Sequence, residues 1–474
     1  MGMNTKTRWV IVLTGLGSFM AALDTVVVST ALATIRRALG ASVGQLEWTV
    51  NAYNLSFAVL LITGTALGDR YGRRRMYATG LGLFAVASAA CALAPGAGWL
   101  IAARAVQGAG GALLLPLALA LLSAAFPPEK RGAAIGMFSA VTGIAVASGP
   151  LVGGAIVEGI DWEWIFWLNV PIGLVAVPLV LRRMDESFGG DTGLDIRGLG
   201  LVTGAALGLV WGLVRGNTAG WGSIEVLGSL VAGALLAGAF VAWELRARAP
   251  MLPMRFFGSR AFSAGNAAIF CTIGSLFACV FFYPQLLQVA MGNGPLDTGL
   301  KLMPWTATFI TVAPIAGVLA DRIGERPLMV SGLLLQAVGA TWLALIAEPH
   351  MAYWHALAPF IVAGVGVSMA IPAAQNSVVG SMAVEDVGKA AGANSMMREL
   401  GGVFGIATVV AVFAGAGGYG SPQEFVDGFG PAIGVAAGIA LLGAACALAL
   451  PGRRRAGETG VAGAVPALNL EGNR

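Results

Sequence analysis

The chain has 474 residues, of which 57% are hydrophobic and 11% charged, against about a quarter charged in a soluble domain. That balance excludes a soluble globular enzyme and calls for a chain solvated largely by lipid. The formal net charge is +4, but no polar domain interleaves basic and aromatic residues, so a nucleic-acid partner is not expected.

Apolar runs long enough to cross about 30 Å of hydrocarbon recur along the whole chain. The first, 9–33, is too long for a signal-peptide core and lacks a cleavage-like ending, so it reads as a span. It is followed by 47–68, 77–95, 99–122, 132–157 and 164–182, then a pair at 197–214 and 225–244. The second half continues with 262–288, 298–320, 327–346, 353–376, 388–414 and 429–450, giving fourteen predicted spans. Basic residues set the sidedness. With the N-terminus inside, the inner segments up to Arg455 carry twenty-one Lys and Arg, among them Lys6, Arg8, Arg70, Arg73, Arg74, Arg75, Arg182, Arg183, Arg322 and Arg326. The outer segments carry Arg36, Arg37, Arg215 and Lys301. Both termini are therefore expected in the cytoplasm. The expected division is a six-helix bundle over 1–190, an extra helix pair over 191–248, a second six-helix bundle over 249–452, and a disordered tail over 453–474. The fold class is all-α, embedded in the membrane.

Cys91, Cys271, Cys279 and Cys446 lie inside apolar runs without metal-ligand spacing, which points to packed thiols rather than disulfides. The two histidines, His350 and His355, flank an outer loop, and no metal site is expected.

Within this frame the polar residues stand out. Asp24 interrupts an apolar run in the first span. A carboxylate there costs several kcal/mol, which protonation largely removes, so such a group suits a proton carrier. Arg104, about five residues into the fourth span, reaches a matching depth in the outer half at 1.5 Å per residue. The two are expected to form an electrostatic pair, serving either proton coupling or a permanent bundle-locking salt bridge.

A charged tight turn, Asp69-Arg70-Tyr71-Gly72, sits between the second and third spans and is followed by Arg73, Arg74 and Arg75. It recurs between the tenth and eleventh as Asp321-Arg322-Ile323-Gly324. One copy per half marks a duplicated bundle. Asp69 is expected to gate the cytoplasmic side by capping a helix N-terminus of the other half, and the arginines to anchor the turn. In the fifth span, Gly149-Pro150-Leu151-Val152-Gly153-Gly154 combines a helix-kinking proline with glycines that admit a close neighbour, a composition suited to a seal.

Arg398 and Glu399 fall at mid-depth in the thirteenth span. Adjacent helical residues point about 100° apart, so one of the two is expected to face the cavity, with Glu399 the candidate second acid. Asn51, Tyr53, Asn54, Gln107, Tyr283, Gln285, Gln288 and Trp305 are candidate cavity residues. Aromatic faces beside a buried carboxylate suit lipophilic cations.

These motifs resemble the major facilitator superfamily of secondary transporters. The repeated D-R-x-G turn is similar to its loop motif, with Thr65 where the family pattern has Gly and Glu325 replacing a basic residue in the second copy. Arg104, Gln107 and Gly108 are similar to R-x-x-Q-G on the fourth helix, which the resemblance links to proton transfer. Gly149, Pro150, Gly153 and Gly154 are similar to the antiporter motif, which implies export. Trp162 to Pro171 resembles the W-R-W-I-F-x-x-N-x-P start of the sixth helix in the fourteen-helix branch of drug:proton antiporters, with Glu163 for Arg. The resemblance implies a monomer in a bacterial cytoplasmic membrane that exports amphipathic, potentially cationic molecules. The proton gradient drives it, and no cofactor is needed. The alternative is a proton-coupled nutrient symporter.

Overall fold

The computed structural model describes residues 5–126, 128–189, 195–248, 250–379 and 387–451. The tail read over 453–474 lies outside the described residues, as do the side chains of Lys130, Arg131, Asp321 and Lys389. Among the described residues there is no strand, and fourteen helical segments are long and apolar enough to cross a membrane. The first half comprises α1 (Thr5–Leu39), α2 (Val43–Tyr71), α3 (Arg73–Ala92), α4 (Ala97–Ala125), α5 (Pro128–Gly159), α6 (Trp164–Trp167) and α7 (Asn169–Arg183). The intervening pair is α8 (Ile196–Ala219) and α9 (Ile224–Glu244). The second half comprises α10 (Arg260–Gln285), α11 (Pro295–Thr306), α12 (Thr308–Ile323), α13 (Glu325–Ile346), α14 (Tyr353–Val379), α15 (Val387–Ala416) and α16 (Pro422–Leu448).

Local chemistry explains where these helices start and stop. Ser42 accepts from the Gln45 amide at 3.3 Å while the Gln45 side chain accepts from the Ser42 amide at 2.9 Å, a reciprocal cap that starts α2. Ser223, Ser259 and Ser421 cap α9, α10 and α16 in the same way from one side. The D-R-x-G turns prove tighter than the sequence suggests. Asp69 and Arg70 stay in the last turn of α2, and Gly72 alone reverses the chain at φ 104°. Gly324 does the same between α12 and α13 at φ 89°. Only glycine adopts such angles without strain.

Two predicted spans are divided. The sixth breaks at Leu168 into α6 and α7, and the tenth breaks at Ala307, just after Pro304, into α11 and α12. Pro284 precedes a wide helical turn over Leu286–Ala290, as expected where a missing amide disturbs the ladder. By contrast, α5 remains helical through Pro150.

The first six passes pack on one another, with α4 against α2 and α3, and α1 against α5. The last six do likewise, α10 against α15 and α16, and α13 against α14 and α16. Two seams join these groups, α2 with α15 and α5 with α11. In the extra pair, α8 packs on α9 and also touches both α2 and α15, so it straddles the first seam. The Trp48 and Trp211 rings meet there at 6.1 Å. Charge in the pair lies at its ends, where Arg215 binds Glu225 at 2.8 Å and buried Glu244 accepts from the Leu252 amide at 2.9 Å.

Candidate functional site

The chain places one acid–base cluster in the core of the first helix group. Arg104 of α4 is 1% exposed and Asp24 of α1 is 3% exposed. Arg104 Nη1 donates a short, charge-assisted hydrogen bond to Asp24 Oδ2. The expected pairing by depth is thus met in space. Gln107, one helical turn from Arg104, closes the ring: its Oε1 accepts from Arg104 Nη1 at 2.7 Å and its Nε2 donates to Asp24 Oδ1 at 2.8 Å.

Further ligands complete the shell. Asn169 Nδ2, at the start of α7, donates to Asp24 Oδ1 at 3.2 Å. Ser88 Oγ of α3 accepts from Gln107 at 2.8 Å and from Asn169 at 3.3 Å. Arg104 Nε donates to the Thr49 carbonyl at 3.1 Å, and its guanidinium lies 4.3 Å from the Tyr53 ring centre. Every charged group here has an opposite charge and hydrogen bonds, the condition under which ions survive burial. Arg104 also keeps three partners besides Asp24, so the cation stays held when the acid becomes neutral. Two expected cavity residues therefore belong elsewhere. Gln107 has its amide committed inside the cluster, and Tyr53 serves as the aromatic wall under Arg104.

The acid expected in the second half is also present but differently arranged. Arg398 Nη2 and Nε donate to Glu399 Oε1 at 3.0 and 3.2 Å. The two differ in exposure, as adjacent helical positions do, while the long arginine side chain reaches back to the carboxylate. Glu399 is the more enclosed, at 12% side-chain exposure against 29%.

On the sidedness set by the basic residues, the outer end of the α5–α11 seam is closed. Gly149 and Gly153 admit Val26, Val27 and Thr30 of α1, while Gly154 lies against the Pro295 and Leu296 backbone. Gly299 of α11 sits over the Pro150 carbonyl. A side chain at Gly154 would put its Cβ 2.8 Å from the Pro295 carbonyl carbon. The G-P-x-x-G-G segment is therefore a two-sided backbone seam holding α1 on one side and α11 on the other. Glu158 Oε2 accepts from the Leu296 amide at 2.9 Å, in the first turn of α11, where an anion complements the helix dipole. Thr306 Oγ1 donates to the Ala147 carbonyl at 3.1 Å, Gln288 Nε2 to the Thr30 carbonyl at 2.8 Å, and Arg36 covers the Tyr419 ring at 4.4 Å. Gln285, expected in the cavity, instead accepts from the Tyr419 hydroxyl in this outer contact.

The inner turn is arranged differently from the expectation. Asp69 binds Arg73 at 2.7 Å, and its carbonyl accepts from the Gly189 amide at 3.1 Å, both within the first half. Among the described residues no hydrogen bond or ion pair joins Asp69 to a helix of the second half; its charge is paired with Arg73 one helical turn away. Arg70 stacks on Tyr71, and Arg74 and Arg75 converge on Glu186. The side chain of Asp321 lies outside the described residues, and Arg322 is exposed.

Of the remaining cavity candidates, Asn51 and Asn54 are buried on α2, and Tyr283 packs against Trp305 with ring centres 5.2 Å apart. The sequence reading missed Ser88, Asn169, Glu47 and Glu158. Asn169 was the most accessible of these, a lone amide beside Pro171 in an apolar run.

The sequence signature of the Major Facilitator Superfamily matches residues 14–406 and, in a second overlapping match, 266–468. The chain is 34% identical over 420 residues to the tetracenomycin C resistance and export protein of Streptomyces glaucescens, covering 88% of this chain and 78% of that protein. It is 33% identical to the multidrug resistance protein Stp of Mycobacterium tuberculosis, covering 87% and 77%. It is 32% identical to the puromycin resistance protein of Streptomyces alboniger, covering 98% and 96%. The fold is similar to that of a bacterial homologue of the lysosomal transporter Spinster in an inward-facing form, with TM-score 0.68, 14% identity and coverage of 94% and 97%.

Proposed function

The chain belongs to the major facilitator superfamily of transporters, and we propose that it is a proton-coupled antiporter that exports amphipathic small molecules by alternating access. The observation that carries the coupling is the buried Asp24–Arg104–Gln107–Asn169 cluster. The direction of transport is supported by relatives that bear the names of export and resistance proteins.

The cycle follows from the contacts. When the outer seam opens, a proton from outside binds Asp24 and neutralises the partner of Arg104. Arg104 remains held by Gln107, Thr49 and the Tyr53 ring, and the loss of one ion pair lets α1 shift against α4. Closure of the α5–α11 seam then turns the site inward, where the proton leaves and substrate enters. The reverse rocking carries substrate out. Arg104 and Gln107 position the acid, and Glu399, with Arg398, is the acid of the second half. Gating rests on Asp69, Arg70, Gly72 and Arg73, and on Asp321 and Arg322 in the second copy. The proton gradient is the sole energy source, and the working unit is a monomer in the bacterial cytoplasmic membrane, with its first and second bundles dividing near 190 and 249.

Everted membrane vesicles test the direction. With the interior acidified, the exporter accumulates ethidium inside the vesicle and releases it when the gradient is collapsed. Accumulation only under an oppositely directed gradient would replace export by uptake.

A further inference from the structure

The face of α2 turned away from the acid–base cluster carries a second polar set that coupling leaves unused. Glu47, Asn51 and Asn54 follow at i, i+4 and i+7, so they form one stripe. They are 0%, 0% and 1% exposed. Asn51 Nδ2 donates to Glu47 Oε1 at 3.2 Å. Glu47 Oε2, Asn51 Oδ1 and both amide atoms of Asn54 have no hydrogen-bond partner. Buried polar atoms are ordinarily paired, so four unpaired ones on one stripe point to a ligand.

The stripe's direction is fixed by its neighbours. Thr49, whose carbonyl binds Arg104, lies two residues beyond Glu47 and so about 160° around the helix. Leu55, Ala58 and Val59 of the same helix share a cluster with Ala393, Met396 and Val403 of α15. Glu47 and its amides therefore look toward the α2–α15 seam, between the two helix groups.

Nor is the carboxyl matched by a cation of the protein. Arg104 of α4 is bound to Asp24, Arg398 of α15 to Glu399, Arg215 of α8 to Glu225, and Arg73 of α3 to Asp69. Arg74 and Arg75 of α3 face Glu186, Arg197 of α8 covers Trp243, and Arg36 of α1 covers Tyr419. Arg37 of α1 bonds to Ala33 and Thr34. Among the described residues no ion pair reaches Glu47.

We propose that Glu47, Asn51 and Asn54 form the recognition subsite for a protonated amine on the exported molecule. Glu47 supplies the missing opposite charge. Its Oε2 and the Asn51 Oδ1 accept from the ammonium N–H groups, and the Asn54 amide takes a neighbouring hydroxyl or carbonyl. The set is acceptor-rich, which suits a donor-rich ammonium. This specifies the substrate class of the exporter reading above and rests on it, but binding can be measured without transport.

The test is equilibrium binding to the full chain in lipid nanodiscs, by fluorescence anisotropy, of doxorubicin and of N-acetyl-doxorubicin, which has the same rings without the ammonium. The wild type binds the amine at least about 10-fold more tightly, a difference expected from one buried charge-assisted contact. Glu47→Gln keeps the side-chain volume and the Asn51 bond and brings the two probes within about 2-fold. Glu47→Asp keeps a preference of about 3-fold or more, which keeps the test decisive should the glutamine variant not fold. Three outcomes overturn the proposal: equal or absent binding of both probes by the wild type, a preference that survives Glu47→Gln, or a Glu47→Gln change confined to the protons exchanged per molecule moved. Discrimination in binding without gradient-driven movement would instead count against the exporter reading and leave the subsite standing.

Discussion

Replacing Asp24 by Asn keeps the shape of the cluster and removes its anion. The asparagine oxygen can still accept from one donor, but Arg104, 1% exposed, loses its only opposite charge in the cluster. Breaking one partner of a buried ion pair costs about 3–5 kcal/mol, mostly from the charge left behind. The Tyr53 face, 4.3 Å from the guanidinium, offsets about 1–2 kcal/mol, and the Gln107 and Thr49 acceptors remain. The net expected loss is about 1–4 kcal/mol. Removing the cation as well, in Asp24→Asn with Arg104→Gln, leaves a neutral set of amides that can rebond among themselves. That double variant should be more stable than Asp24→Asn alone, with a coupling energy of about 2 kcal/mol or more. Unfolding in sodium dodecyl sulfate, followed by circular dichroism for the four corners of the cycle, reads both quantities. Additivity within about 0.5 kcal/mol would refute the ion-pair reasoning.

The outer seam yields three more expectations. Gly154→Val pushes a branched side chain against the Pro295 and Leu296 backbone, so it should hold the outer side open and cut turnover at least about 10-fold, near 1.4 kcal/mol. A cysteine at Thr306 would then react faster with a membrane-impermeant thiol reagent from outside, and unchanged labelling would count against the seam. Glu158→Gln removes the charge at the first turn of α11, worth about 0.3–1 kcal/mol. It should shift the population toward the outward-open form by about 2- to 5-fold in spin-label distances between α5 and α11, and an unshifted distribution would exclude Glu158 as a latch. Glu163 lies in the outer loop before α6, and its carboxyl is held above the ordinary glutamate range, chiefly by burial and further by Asp161. A raised value means stability present at low pH and lost as pH rises through it. Glu163→Gln should match the wild type at pH 4 and be the more stable of the two at pH 7, and a gain at pH 4 instead would reverse the sign.

What the sequence disclosed depended on whether one helix or several had to be known. Fourteen apolar runs were legible because hydrocarbon thickness fixes their length, and Gly72 and Gly324 because only glycine turns that sharply. Asp24 and Arg104 could be paired because depth follows from counting residues along a helix. Gln107 could not be assigned between cavity and cluster, since that depends on how α4 is rotated toward α1 and α3. Asn169 reaches Asp24 from the start of α7, just after the break at Leu168, and no hydropathy pattern reveals that break. That Arg398 and Glu399 differ in enclosure follows from helix geometry, but their ion pair depends on the reach of a long side chain. Asp69 shows another limit: its partners Arg73 and Gly189 depend on how the turn folds back onto the first half.

On the proposed function, proton entry at Asp24 drives substrate exit. In proteoliposomes with an imposed pH gradient, ethidium movement and lumenal pH would be followed together for the wild type and Asp24→Asn. The dye is expected to move up its own gradient with protons flowing the opposite way, and Asp24→Asn to abolish both while the protein remains folded. Uphill dye movement with proton counterflow undiminished in Asp24→Asn would contradict it.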